Sequence, residues 1–403
     1  MSKHILFVDD EPNILTGLQR TLRPMREQWE MEFVSSGAEA LERLALHPFE
    51  AVVTDMRMPG MTGAELLDKI QDRFPQTIRI ILSGQSDRES ILRSIASAHQ
   101  FLSKPCDVEQ LKSLLERTIA LTELLANESL RRFISRLKCV PSLPVLYEEV
   151  TRELRSEDPS ATRIGRIIAQ DMGMTAKILQ MVNSAVYGIR AEISEPGQAV
   201  LQLGLDTVQA MVLSLSIFSA FDPQVLSASV AERLWDHSVS VSRLSRLIAL
   251  AEGVSPRALD PYQSAGLLHD IGKLVIASAD PTGYRKIEGR AISTGTAQWL
   301  VETEVLGCSH AEIGAYLLGI WGLPASIVEA AAWHHRPSES PVDKFSPLAA
   351  VHVASAFDAQ FHPEFTHLDP NLDQAFLDRI GLAGRLDAWM ECCREQLSER
   401  RPE

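Results

Sequence analysis

The sequence predicts a multidomain chain in which an α/β doubly wound domain is followed by an all-α domain. Three observations carry that expectation. Up to about residue 105, short apolar β-branched runs alternate with helical periodicity, which implies a parallel sheet with helices on both faces. From Asp107 the pattern turns helical, and no convincing strand pattern follows to Glu403. At 403 residues the chain is long enough for two or three domains.

Strands are expected at 4–8, 51–54, 78–82 and 101–102, with helices over 12–22, 37–45, 64–74 and 86–97. The run Ala51-Val-Val-Thr54 stops on Asp55, and Pro59, Gly60 and Gly63 then break the backbone into a loop. The first strand is followed by Asp9, Asp10 and Glu11, the third ends on Ser83, and the fourth leads into Ser103-Lys104-Pro105. In an open parallel sheet, ligands gather at the carboxyl ends of the strands. Asp9, Asp10, Asp55, the Ser83 hydroxyl and the Lys104 ammonium therefore converge on one edge. Carboxylates this close repel one another. A hard dication with oxygen ligands, Mg²⁺ first, relieves that repulsion, and Lys104 supplies a second positive charge. A phosphoryl group on Asp55 would meet metal, ammonium and hydroxyl together.

This set, in this order, resembles the receiver domain of bacterial two-component response regulators, a flavodoxin-like α/β fold. The resemblance covers residues 1–120 and implies specific roles. Asp55 takes the phospho-acceptor position. Asp9 and Asp10 take the acidic pair, with Asp10 the direct metal ligand, and Arg57 supplies a backbone carbonyl to the same Mg²⁺. Ser83 and Phe101 take the switch positions, Lys104 the conserved lysine, and Lys104–Pro105 the cis peptide. The implied input is phosphoryl transfer from a sensor histidine kinase. No receiver position departs in a way that predicts inactivity.

Composition narrows the output. Hydrophobic residues make up 45% and charged residues 23%, the balance of an ordinary globular protein. A net charge of −14 argues against direct DNA binding, which needs a basic patch. The five cysteines are scattered and lack C-x-x-C spacing, so reduced thiols in the cytoplasm are expected, with no zinc site and no disulfide framework. The chain starts directly on a strand, without the pattern of a signal peptide. The most apolar stretch, 208–221, is too short to span a bilayer, so no membrane association is expected. Residues 107–138 read as a linker helix that continues the last receiver helix. Asp107 caps it, and an irregular apolar stripe fits either a spacer or a surface for homodimerisation with the receiver.

Beyond Pro141-Ser-Leu-Pro144, helices are expected over 145–155, 161–170, 174–183, 196–203, 205–221, 228–252, 261–278, 298–306, 310–321, 325–334 and 347–359. Asn183 and Ser184 are placed to cross-link a turn. Of eleven histidines in the chain, six fall on these apolar helices: His237, His269, His310, His334, His335 and His352. His269 is followed by Asp270-Ile-Gly-Lys273. Adjacent residues on a helix diverge by about 100°, so His269 and Asp270 reach one centre only through a tight local geometry.

These features resemble the HDOD domain, a regulatory relative of the HD-superfamily metal-dependent phosphohydrolases. The resemblance assigns residues 139–360 to that domain and leaves 361–403 as a helical extension, with a final helix over 372–397. His237 takes the first histidine position, and His269 and Asp270 the pair. His310, His334 and His335 match further histidines of the branch that acts on cyclic dinucleotides, and Lys273 faces the same way as His269. Two departures stand out. Ser355 occupies the region of the last aspartate, with Asp358 about one turn on, and the Gly-Tyr-Pro signature is replaced by Gly322-Leu-Pro324 and His335-Arg-Pro337. The implied function is a phosphorylation-dependent response regulator whose HDOD domain binds an unidentified signalling protein. The cluster is expected to hold no metal or a single weak ion. The alternative is a phosphorylation-regulated, metal-dependent phosphohydrolase of cyclic dinucleotides or nucleotides.

Overall fold

A computed structural model describes residues 3–83, 97–104, 109, 111–116, 144–183, 192–209, 228–361 and 371–398. The N-terminal domain contains β1 (Lys3–Val8), α1 (Pro12–Thr21), β2 (Trp29–Val34), α2 (Gly37–Leu46), β3 (Ala51–Asp55), α3 (Gly63–Arg73), β4 (Ile78–Ser83) and β5 (Gln100–Ser103). All four strand pairings are parallel, in the order β2-β1-β3-β4-β5. The period-2 rule sorts each strand onto two cores. Ile5, Phe7, Ala51, Val53, Ile80 and Leu82 pack on one face with Leu111 and Leu115. Leu6, Val8, Val52, Ile81 and Phe101 pack on the other. The predicted helix at 86–97, the Lys104–Pro105 bond and most of the linker lie outside the described residues.

The sequence reading missed β2. Its alternation, Trp29-Glu-Met-Glu-Phe-Val34, is that of an edge strand with a half-exposed middle. It lacks the continuous apolar run that marked the four buried strands.

The second domain consists of helices: α4 (Pro144–Leu154), α5 (Ala161–Ile168), α6 (Met172–Val182), α7 (Pro196–Leu203), α8 (Leu205–Gln209), α9 (Ala228–Ala251), α10 (Asp260–Leu268), α11 (Ile271–Ala279), α12 (Pro281–Thr294), α13 (Gln298–Leu306), α14 (His310–Ile320), α15 (Ala325–Trp333) and α16 (Pro347–Phe361). Among the described residues no helix is long and apolar enough to cross a membrane. Asn183 staples its turn, since its amide donates to the Ile193 carbonyl at 2.7 Å and accepts from the Ile193 amide at 2.8 Å.

Two expectations need correction. The helix expected over 261–278 breaks between α10 and α11, where Asp270 has φ −101° and ψ 12°. The break separates the directions of His269 and Asp270 from the fixed angle of a continuous helix. The final helix is also interrupted, into α17 (Gln374–Arg379) and α18 (Leu386–Ser398), with Gly381 at φ +73° between them. This extension covers the bundle. Trp389 is buried, and its indole and Arg385 both donate to Glu252 at 2.7 Å.

Helices α11 and α14 approach closely because Gly272 has no side chain. A Cβ there would overlap the His310 carbonyl oxygen. Gly272→Ala is therefore expected to destabilise the helical domain by about 1–3 kcal/mol through overpacking. Denaturant unfolding checks this, and an unchanged midpoint would mean the two helices do not meet there.

Candidate functional site

At the carboxyl edge of the sheet the predicted residues come together. Lys104 bridges two carboxylates, donating to Asp9 Oδ2 at 2.7 Å and pairing with Asp55 Oδ1. Burial alone would lower the Lys104 pKa, but its bonds to Asp55 and Asp9 outweigh that and raise it. Each carboxylate is also held by backbone. Asp55 Oδ2 accepts from the Arg57 amide at 2.7 Å and Asp9 Oδ1 from the Glu11 amide at 2.9 Å. Asp10, next in sequence to Asp9, is half-buried. The Ser83 hydroxyl is buried and has no hydrogen-bond partner among the described residues. Its carbonyl accepts from the Lys104 amide at 2.7 Å, tying β4 to the residue after β5. Phe101 is fully packed in the core. The donor set is all oxygen, which fits Mg²⁺, with Asp9, Asp10, Asp55 and the Arg57 carbonyl as the residues that would hold it.

A second constellation is built by five helices. The Asp270 carboxylate sits at its centre. His237 Nε2 and His269 Nε2 lie 3.6 Å from Oδ2, while His310 Nε2 and His334 Nε2 lie 3.0 and 3.5 Å from Oδ1. His335 Nε2 meets His310 Nε2 at 3.0 Å. Two ligand groups result, His237–His269–Asp270 and Asp270–His310–His334–His335, and they share the aspartate.

The outer nitrogens are just as ordered. His237 Nδ1 meets Asp358 Oδ2 at 2.6 Å, and His310 Nδ1 meets Glu302 Oε2 at 2.6 Å. His269 and His334 direct Nδ1 to the carbonyls of Gly266 and Ala331, at 2.7 and 3.0 Å. A carbonyl can only accept, so both rings carry their proton on Nδ1. Burial holds both imidazoles below their ordinary pKa, His269 by a wide margin. Neutral rings with protonated Nδ1 turn bare Nε2 lone pairs toward a carboxylate. Neither Nε2 has a hydrogen-bond partner among the described residues. Orienting histidine ligands through Nδ1 is the usual outer-shell arrangement of metal sites. The residues fit one or two dications.

Asp270 is itself held ionised. Burial would raise its pKa, but Lys273 and the surrounding histidines pull it well below the carboxylate range. Lys273 Nζ donates to Asp270 Oδ2 at 2.6 Å. Burial opposes a charge on His310 too, but Glu302 outweighs it and raises that pKa.

Sequence reasoning missed Glu302 and placed Asp358 near the last-aspartate position without its role. Glu302, fully buried on α13, had a signal in its position on an apolar helix eight residues before His310. Asp358 does not replace the missing last aspartate as a ligand. It reaches His237 from outside and also accepts from Ser240 Oγ.

The family model of the response regulator receiver domain matches residues 5–116, and that of the HDOD domain matches residues 140–337. An uncharacterized protein of Treponema pallidum is 28% identical over 218 residues, covering 54% of this chain and 41% of its own length. The hydrogenase transcriptional regulatory protein HoxA of Cupriavidus necator is 32% identical over 166 residues, covering 41% and 33%. The chain thus spans less than half the length of these two relatives. Among solved structures, the MmoQ response regulator of Methylococcus capsulatus aligns at 22% identity and TM-score 0.46, covering 62% of this chain and 97% of that one. With a parallel five-stranded α/β sheet, the acidic edge around Asp55 and the two family matches, the chain combines a response regulator receiver domain with an HDOD domain.

Proposed function

We propose that a sensor histidine kinase phosphorylates this protein on Asp55, and that phosphorylation changes how the HDOD domain binds a signalling protein. The supporting observation is the pairing of Asp55 with Lys104 beside an unpartnered, buried Ser83 hydroxyl. A phosphoryl group on Asp55 adds charge and acceptor oxygens. Lys104 and Ser83 are the donors placed to meet them. Asp9, Asp10, Asp55 and the Arg57 carbonyl hold Mg²⁺ in this reading. In this reading the protein acts in the cytoplasm without binding DNA, and a homodimer would form through the receiver and residues 107–138.

A protein-interaction output is favoured by the closure of the histidine site. His237, His269, Asp270, His310 and His334 are each at most 2% exposed. A nucleotide-sized substrate does not reach them without helix movement. Hydrogen exchange with and without beryllofluoride tests the switch. Slower exchange is expected across β4, β5 and Lys104 in the bound state, and identical exchange there would remove Ser83 and Phe101 from the readout.

One observation favours a second reading, metal-dependent phosphohydrolase chemistry. The Nε2 atoms of His269 and His334 both face Asp270, at 3.6 and 3.5 Å, with Nδ1 of each ring tied to a carbonyl. A bound dication supplies an activated water and a Lewis acid for phosphoryl oxygens. Asp270 and the five histidines would hold it, and Glu302 and Asp358 orient His310 and His237. Turnover of cyclic dinucleotides is expected to be negligible with common dications. A robust rate that disappears in His269→Ala would move the protein into the enzyme class.

A further inference from the structure

The receiver and the HDOD domain touch at a defined place, and one helix runs from there to the histidine cluster. Gln100 opens β5 and is buried. Its Nε2 donates at 2.8 Å to the carbonyl of Ile320, the last residue of α14. The neighbouring His99 carbonyl accepts from Gln180 Nε2 of α6 at 3.3 Å. Gly322, at φ +74°, lets the chain pass beneath Gln100, and a Cβ there would lie 2.5 Å from the amide nitrogen. The contact has an apolar floor, because Ile81, Ala98 and Phe101 belong to the same continuous core as Met181, Ile320 and Trp321.

Both ends of this link lead to a site. At its C-terminal end β5 passes into Lys104, whose ammonium pairs with Asp9 and Asp55. At its N-terminal end α14 begins with His310, which contacts Asp270 at 3.0 Å and Glu302 at 2.6 Å. A full capping box, Ser309 with Glu312, holds that end, and the Gly272 contact fixes it against α11. Eleven residues at about 1.5 Å rise make a rod of roughly 16 Å. A shift of β5 relative to α14 therefore arrives at His310 rather than dissipating in a loop.

We propose that the Gln100–Ile320 contact makes α14 a mechanical link, through which the state of the Asp55 edge sets the position of His310 in the Asp270 cluster. By reciprocity, whatever stabilises the cluster also biases the receiver. Carriage of the phosphoryl signal rests on the reading of Asp55 as the input. The contact itself does not.

Amide exchange of the full chain tests both. In Gln100→Ala without any phosphoryl analogue, residues 310–320 are expected to exchange roughly 3- to 10-fold faster, the share of local opening that one hydrogen bond controls. The receiver strands keep their wild-type protection. In wild type with Mg²⁺ and beryllofluoride, both 97–104 and 310–320 change, whereas in Gln100→Ala only 97–104 does. Gln100→Leu keeps most of the volume, offers no donor to the Ile320 carbonyl, and should behave like Ala. The proposal is overturned if 310–320 exchange alike in wild type and both variants, or if beryllofluoride changes 97–104 in wild type but leaves 310–320 untouched. Should beryllofluoride leave 97–104 unchanged, the Asp55 reading fails, and the analogue-free comparison still decides the contact.

Discussion

Asp270→Ala is expected to abolish any dication uptake by the histidine cluster and to destabilise the helical domain by about 3–5 kcal/mol, the usual cost of removing one partner of a buried pair. The effect is large because Asp270 serves four elements at once. Among the described residues it is the carboxylate that meets the Nε2 atoms of His237, His269, His310 and His334, and it is the partner of a Lys273 ammonium that is 2% exposed. In its absence Lys273 keeps its charge without a counterion or gives up its proton, and either outcome costs folding free energy. Elemental analysis after loading with manganese, iron or zinc reads the first effect and denaturant unfolding reads the second. Wild type that holds no metal after loading contradicts the metal reading. A variant as stable as wild type contradicts the central place of Asp270.

Asp55→Asn is expected to abolish the response of the receiver to phosphoryl analogues. The substitution preserves size and the bond to the Arg57 amide, but it removes the anionic oxygen that pairs with Lys104 and accepts the phosphoryl group. A ligand bound only by the folded state stabilises it by about 2.7 kcal/mol at a hundredfold excess over Kd. Beryllofluoride with Mg²⁺ should therefore raise the unfolding temperature of the wild-type receiver and leave the Asn variant where it was. Equal stabilisation of both proteins would place the acceptor elsewhere.

The receiver edge was legible in the sequence because it follows a local rule. Each buried strand is closed at its carboxyl end by a polar residue, so Asp9, Asp55, Ser83 and Lys104 could be placed from the ends of four largely apolar runs. β2 escaped because an edge strand alternates and its Glu30 faces water. The histidine cluster was legible as a set of residues but not as geometry. Nothing between 261 and 278 breaks helical periodicity, and the break at Asp270 accompanies contacts across helices: to His237, His310 and His334, with Gly272 against α14. The same holds for Asp358, which meets a histidine 121 residues away, and for Gln100, whose partner lies 220 residues on. Such pairings are set by tertiary packing and leave no trace in local spacing.

The most direct test of the account is to locate the phosphoryl group. Wild-type chain incubated with acetyl phosphate and Mg²⁺ is digested and read by mass spectrometry, with hydroxylamine treatment to confirm an acyl phosphate. The account predicts a single phosphoryl group per chain, on the segment carrying Asp55 and released by hydroxylamine. A chain that takes up no phosphoryl group, or carries it on a residue other than Asp55, contradicts it.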